Sequence, residues 1–381
     1  LISSSYETVR EGTTDLLVPK NFCKQGPGTK TREVFYNRQM EFGRDVSVMF
    51  GREVFKEGQR ILDGLAASGA RGLRLANECG VRADFILNDR DLRAAVLMKQ
   101  NADLNSLRNV QIQCRELRGL LADEQFDYID IDPFGSPIDF IDSAVQSCKN
   151  HGVLAITATD TAPLYGTYPR TSLRRYGALS VKSPFAHETG LRILIGFVVR
   201  EAAKHDRAVE PILCYHADHY FRCNFRIVNG AGRADSALKK MGFCRHDRAT
   251  LKRSVSSGRT DDNDAGPLWI GDLFSKELLM SMKATGDLGT STRCSRILET
   301  WRDEVGMPPL YYGMDELARK TKLAPPKLLD FVEHLREEGS RASRTHFDPK
   351  GLKTDLTAAK LLTRYKRFSK EKSSKRVVSN V

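Results

Sequence analysis

No stretch of this chain approaches the ~20 consecutive apolar residues that a membrane-spanning helix requires. The longest candidate, 191–199, is interrupted by Arg192 and Gly196. Paired cysteines are missing as well. Cys23, Cys79, Cys114, Cys148, Cys214, Cys223, Cys244 and Cys294 are scattered, with no CxxC among them. That spacing argues against a zinc ribbon or a disulfide-stapled scaffold and for a reducing interior. The opening residues, LISSSYETVREG, do not begin with Met and show no basic segment followed by an apolar one, so a secretory leader is not expected. Acids are in deficit: 48 Asp and Glu face 60 Lys and Arg over 381 residues, a formal charge of +12. These shortages leave a basic cytoplasmic protein whose charge calls for a partner.

What is present suits a folded chain. Hydrophobic residues make up 40% and charged residues 28%, too apolar a balance for wholesale disorder, and the length predicts two domains. The basic surplus is uneven. Lys360, Arg364, Lys366, Arg367, Lys370, Lys372, Lys375 and Arg376, against Glu371 alone, place +7 of it in residues 360–381. Such a tail is either a solvated terminus or a phosphate-binding element, because each cation that neutralises a phosphate releases condensed counterions.

From residue 60 onward, strand-like and helix-like segments alternate. Strands are expected at 60–65, 83–87, 110–114, 126–131 and 153–157, with helices at 73–79 and 92–104. This alternation is the pattern of a doubly wound parallel sheet. After a long helix, 191–204, strands at 211–215 and 220–228 share a short connector, which predicts an antiparallel pair closing the sheet edge. Ser, Gly and Asp dominate 254–266, read as a linker. Beyond it lie a helix at 296–304, a helix–turn–helix over 314–320 and 325–337, and a strand at 341–347, together a winged-helix-like module.

ILDGLAASGARGLRL runs strand, small-residue turn, helix, and Gly64, Gly69 and Gly72 would let the backbone approach a ligand. Neither G-x-G-x-x-G nor a P-loop Gly-Lys-Ser/Thr is present. Acids recur at the ends of the next strands. Asp89 closes ADFILND, 17 positions after Gly72, near the ~20 at which an acid takes ribose hydroxyls in nucleotide folds. Glu116 follows the third strand, where its carboxylate or the backbone at Leu117 could hold an adenine amine. Each acid alone also reads as a helix N-cap.

FDYIDIDPFGSP is the most informative stretch. Alternation along a strand puts Tyr128, Asp130 and Asp132 on one face, with Asp132 at the strand's end and Pro133 stiffening the exit. A carboxylate followed by a rigid proline and Phe134 suits chemistry on the exocyclic amine of a planar base. The acid accepts the amine hydrogens, the ring stacks, and proximity supplies most of the gain. Asp-Pro as a simple turn opener, with Phe134 in the core, is the plain alternative.

Taken together, DGLAASGARG, LNDRD, IDIDPFGSP, TATDTAPLYGTYPR, HETGLRILIG, DHYFR, GPLWIG and RTHF resemble the tRNA guanine-26 N2-dimethyltransferase family, with VFYNRQMEFGRD similar to its N-terminal signature. The resemblance implies S-adenosylmethionine as methyl donor and the N2 amine of guanine 26 in tRNA as acceptor. It implies that Arg44 and Arg71 bind the donor and that Asp89, Glu116 and Leu117 contact its ribose and adenine. Asp132 would be the catalytic acid, and Phe35 and Phe134 would enclose the guanine. Two departures stand out: Asn37-Arg38-Gln39-Met40 where many members have Asn-Pro-Arg-Met, and only Cys244 and His246 where some carry paired CxxC motifs, so no zinc is expected.

Other residues allow two readings. His187 and Glu188 suit acid–base chemistry or a helix start; His216 and His219 lack a completing metal ligand. Asp160 could orient a base or cap a loop. Arg170, Arg174 and Arg175 beside Tyr168 and Tyr176 suit RNA, since guanidinium planes and aromatics stack on exposed bases.

The expectation is a Rossmann-like class I methyltransferase sheet with antiparallel edge strands over 1–262, a smaller α+β tRNA-binding domain over 263–355 and a basic tail over 356–381. A monomer is favoured. The rivals are an amino methyltransferase of DNA, disfavoured by DPFG in place of Asp-Pro-Pro-aromatic, and a catalytically silent RNA-binding protein, disfavoured by intact Asp89 and Asp132.

Overall fold

The computed structural model describes residues 5–24 and 33–378, with side chains through 372. It opens with an antiparallel hairpin, β1 (Tyr6–Glu11) and β2 (Thr14–Pro19), followed by α1 (Glu41–Val54). Strands and helices then alternate: β3 (Arg60–Asp63), α2 (Ala70–Glu78), β4 (Asp84–Asn88), α3 (Leu92–Leu104), β5 (Val110–Gln113), α4 (Leu117–Asp123), β6 (Phe126–Ile131), α5 (Ile138–Ser147) and β7 (Cys148–Ala158). Two short helices, α6 (Thr161–Leu164) and α7 (Pro169–Tyr176), precede α8 (Ala186–Ala203), β8 (Arg207–Ala217) and β9 (Tyr220–Asn229).

These strands form one seven-stranded sheet, ordered β5-β4-β3-β6-β7-β9-β8. The first five are parallel, and β9 and β8 close the edge antiparallel, as the sequence predicts. Parallel strands need both faces covered, which is why Ile61, Leu62, Ile129 and Ile131 are all buried. Strand order reverses between β3 and β6. Open α/β sheets bind ligands at such a switch point, outside the strands' carboxyl ends.

The glycine turn works differently from expectation. Gly69 adopts φ +78° as the N-cap of α2, a conformation that favours glycine. A Cβ on Gly72 would lie 2.7 Å from Leu87 and 3.1 Å from Asp63, and one on Gly64 would meet the Asp130 carbonyl at 3.0 Å. These two glycines therefore let α2 and the turn press against the sheet, so the close approach they allow is protein to protein.

The remainder comprises α9 (Ala231–Leu238), β10 (Met241–His246), β11 (Arg253–Ser256), β12 (Ala265–Trp269), α10 (Lys276–Ser281) and α11 (Ser291–Glu304). Then come β13 (Tyr312–Gly313), α12 (Met314–Thr321), α13 (Leu328–Glu337), β14 (Ala342–Thr345), β15 (Asp348–Thr354) and α14 (Ala358–Val378). Helices α12 and α13 with the β13-β15-β14 sheet, whose first strand precedes them, make the winged-helix-like unit, with its own core around Leu317, Phe331 and Leu335. The division expected at 262/263 falls inside a sheet, because β12 pairs with β10 and the first core continues through Trp301 and Tyr311. The supposed linker contains most of β11 and the start of β12. The basic segment after 356 is no loose tail: Leu361, Tyr365 and Phe368 on one face of α14 are buried in the second core. Residues 379–381 and the side chains of Lys375 and Arg376 lie outside the described part. Among the described residues no helix is long and apolar enough to cross a membrane.

Candidate active site

A cavity of about 610 Å³ opens at the switch point, and all eight residues singled out from the sequence line it: Phe35, Arg44, Arg71, Asp89, Glu116, Leu117, Asp132 and Phe134. Its size falls within the ~300–1,000 Å³ usual for small-molecule sites.

At one end, backbone and nearby acids shape the walls. Asp89 accepts hydrogen bonds from the Ala67 and Asp91 amides, both 3.0 Å, and so ties the glycine turn to the end of β4. Each carboxylate oxygen has a further lone pair, which leaves Asp89 able to accept from a diol as well. Glu116 is the N-cap of α4: its carboxylate accepts from the Gly119 amide at 3.1 Å and pairs with Arg118 at 3.2 Å. Although partial burial opposes it, these donors hold the Glu116 carboxyl below its ordinary value. Leu117 is buried in the first turn of α4, where amides lack intrahelical partners.

At the other end lies a buried ionic lattice. Arg71, from the first turn of α2, donates to Asp132 Oδ2 at 2.6 Å and to the Ser47 hydroxyl at 2.7 Å, and its Nε stands 3.7 Å from Asp130. Asp130 is bound twice by Arg222 of β9, at 2.5 and 2.8 Å, and accepts from the Tyr128 hydroxyl at 2.8 Å. That contact confirms the shared face read from alternation along β6. Burial alone would raise the Asp130 pKa, but Arg222 and Arg71 hold it down. Asp63, at the end of β3, accepts only the Gly72 amide (2.9 Å) among the described residues; burial and the Asp130 charge push it up to about 7. Sequence reading singled out neither Asp63 nor Arg222. Arg222 sits in DHYFR, and only its place opposite Thr157 on β7 aims it at Asp130.

The two aromatics meet directly. Phe35 and Phe134 touch edge to face, ring centroids 4.6 Å apart, with Phe134 51% exposed. Both rings line the same cavity as Asp132. The DPFG turn itself is fastened to the end of β7, with the Gly135 amide donating to the Thr159 hydroxyl at 2.8 Å. Arg44 is buried and doubly paired with Glu11 of β1, at 2.5 and 2.7 Å, while Asp45 pairs with Arg74 at 2.6 Å. Its first task is therefore to lock the hairpin onto α1; Nη1 alone has no hydrogen-bond partner among the described residues.

Asp160, Glu188 and His216 have structural assignments, while His219 lines the cavity. Asp160 accepts from Tyr176 and Arg175 and anchors α7. Glu188 is buried between Arg192 (2.9 Å) and Lys353 (2.8 Å), joining α8 to the winged unit. His216 stacks on His187 and is pushed down to about 3 by burial and its histidine neighbours, so it stays neutral.

A family model described as N2,N2-dimethylguanosine tRNA methyltransferase matches residues 12–366. The chain is 39% identical over 369 residues to a tRNA (guanine(26)-N(2))-dimethyltransferase of Thermococcus kodakarensis, covering 91% of this chain and 95% of the relative. It is 36% identical over 375 residues to the enzyme of that name from Methanothermobacter thermautotrophicus, with the same coverage of 91% and 95%. The solved structure of Trm1 from Pyrococcus horikoshii with S-adenosyl-L-methionine is similar at TM-score 0.85 and 34% identity, covering 94% of this chain and 99% of that one. The family model spans the seven-stranded sheet and the winged unit, and the chain belongs to the N2,N2-dimethylguanosine tRNA methyltransferase family.

Proposed function

We propose that Asp132 is the residue on which this chain's methylation of the guanine-26 N2 amine of tRNA turns, with the buried lattice beneath it as its mount. The carrying observation is the Arg71–Asp132 bond. It engages Oδ2 and leaves Oδ1 without a donor among the described residues, on the wall of the cavity. An amine N–H approaching Oδ1 would be held with its nitrogen lone pair turned along the cavity. Asp132 then accepts the proton as positive charge develops on nitrogen. Phe134 and Phe35, parted from their mutual contact, would sandwich the base.

S-adenosylmethionine, when bound, supplies the methyl group as a cationic sulfonium. The residues present fit it. Asp89 and the Leu117 amide would hold its nucleoside, Nη1 of Arg44 its carboxylate, and the wall carries Asp63 and Asp132 as counter-charges to a sulfonium. We read the enzyme as a zinc-free monomer of the cytoplasm. For the zinc-free reading, His246 Nε2 lies 3.2 Å from the Glu316 carboxylate.

Asp132→Ala should lower methyl transfer to a tRNA transcript by roughly 10²- to 10⁴-fold while leaving S-adenosylmethionine affinity within a few-fold. Turnover at the wild-type rate would remove Asp132 from the reaction.

A further inference from the structure

Helix α7 carries three arginines and no acid in eight residues. Its outer face is also apolar where solvent should discourage it: Tyr168, at its N-cap, is 57% exposed, and Leu173 is 54% exposed. Isolated exposed apolar groups need no explanation. Here two of them stand among cations, on an element bolted to the active site. Arg170 and Arg174 are exposed four residues apart, on one face of the helix. Arg170 has no partner among the described residues, and Arg174 contacts only the Thr171 hydroxyl, at 3.3 Å.

The bolt is Tyr176. Its buried hydroxyl bonds the cavity-lining Ser136 at 2.8 Å and donates to Asp160 at 2.7 Å. Arg175 also donates to Asp160, at 3.1 Å. The amides of Thr159 and Asp160 both return to the Gly135 carbonyl, at 2.9 and 3.4 Å. The DPFG turn, the end of β7 and α7 thus form one hydrogen-bonded unit, and whatever docks on α7 is held at a fixed offset from Asp132. Tyr176 and Arg175 are spent on this anchoring. Of the residues that look RNA-like in sequence, Tyr168, Arg170 and Arg174 remain free to act outward.

We propose that Tyr168 and the outer face of α7 are the platform that receives the RNA strand beside the target guanine. Tyr168 stacks on a neighbouring nucleobase, and Arg170 and Arg174 take phosphates. A cationic face with no acid favours a polyanion over a protein surface, and an exposed ring flanked by arginines is the usual receiver of an unstacked base. Guanine must leave its stack to reach Asp132, and a platform that holds the next nucleotide would offset part of that cost. This inference rests on the reading of the chain as a tRNA methyltransferase.

The test uses the full chain, an unmodified tRNA transcript carrying guanine 26, and S-adenosylmethionine. Tyr168→Ala should weaken transcript binding by roughly 10- to 100-fold with unchanged donor affinity, and Tyr168→Phe should restore it. Arg170→Ala with Arg174→Ala should flatten the dependence of log Kd on log salt by about 0.7 per arginine. Wild-type transcript affinity and salt slope in these variants, while the unaltered enzyme still methylates the transcript, would overturn the platform. So would a Tyr168→Ala chain whose sedimentation mass changes but whose transcript affinity does not, since the face would then serve a second copy. Failure of the unaltered enzyme to methylate the transcript would instead overturn the reading of the site beneath it.

Discussion

The two ends of the cavity are built on different principles. At the Asp89 end, that carboxylate bonds amides 2 and 22 residues away and Glu116 bonds one 3 residues away. Both carboxylates reach solvent, and each holds a turn in place by capping it. At the Asp132 end, the partners are 61 residues apart for Arg71 with Asp132 and 92 for Arg222 with Asp130, and the charges below Asp132 are buried. A capped turn tolerates change because water can replace a lost partner. A buried lattice does not, because a charge left without its counter-charge stays desolvated. Methyl transfer needs its acceptor oriented closely, and the rigid end is the one that carries Asp132.

The severest way to test this contrast is to unpair the lattice. Arg222→Gln leaves Asp130 buried with only the more distant Arg71 as counter-charge, and should cost about 3–5 kcal/mol of stability, read as a fall in the denaturant midpoint. Adding Asp130→Asn removes the stranded charge and should recover much of that loss. Methyl transfer should stay depressed in the double variant, since Arg71 no longer has Asp130 to hold it beneath Asp132. A double variant with full activity would show that the lattice only supports the fold.

A smaller effect of opposite sign comes from Asp63. Its folded pKa, about 7, lies above the ordinary 3.8, because burial and Asp130 both oppose its ionisation. The native state therefore binds this proton more tightly than the unfolded chain does. Ionisation begins to destabilise the fold as pH rises past 3.8, and the full penalty is present above about 7. Asp63→Asn keeps an acceptor for the Gly72 amide and removes the charge. The ligand-free variant should be more stable than the parent at pH 8, with the gain vanishing below pH 4. A gain independent of pH would mean that Asp63 is not the titrating group.

The same contrast explains what the sequence makes legible. The parallel sheet, its antiparallel edge and the shared face of Tyr128 and Asp130 follow from local alternation, and so do the strand-end acids. Arg222 could not be found that way: it lies in a strand of buried residues, and its partner is set by the register of β9 against β7. The hairpin β1–β2 escaped for a related reason. It is held by Asn101 and Glu11, whose partners lie far along the chain. A Ser- and Gly-rich stretch reads as linker although most of β11 and the start of β12 lie in it, because the pairing of each with β10 outweighs local propensity. The resemblance to the family placed Phe35 and Arg44 in the cavity, where physical reading alone had no ground to choose them.

The mildest expectation lies at the capped end. Glu116→Ala removes the acceptor for the Gly119 amide, and a lost N-cap costs ~0.5–2 kcal/mol. The side chain is 52% exposed, so water can take over the amide and the low end of that range applies. The folded pKa of Glu116 lies below the ordinary 4.5, so its charge stabilises the fold fully above that value and the benefit fades as pH falls through the folded pKa. Parent and variant should accordingly differ at pH 7 and converge in acid. Donor affinity should drop only if the carboxylate also meets the adenine. A variant with wild-type donor affinity would leave that contact to the Leu117 amide, and this end of the cavity would then owe its shape to backbone almost alone.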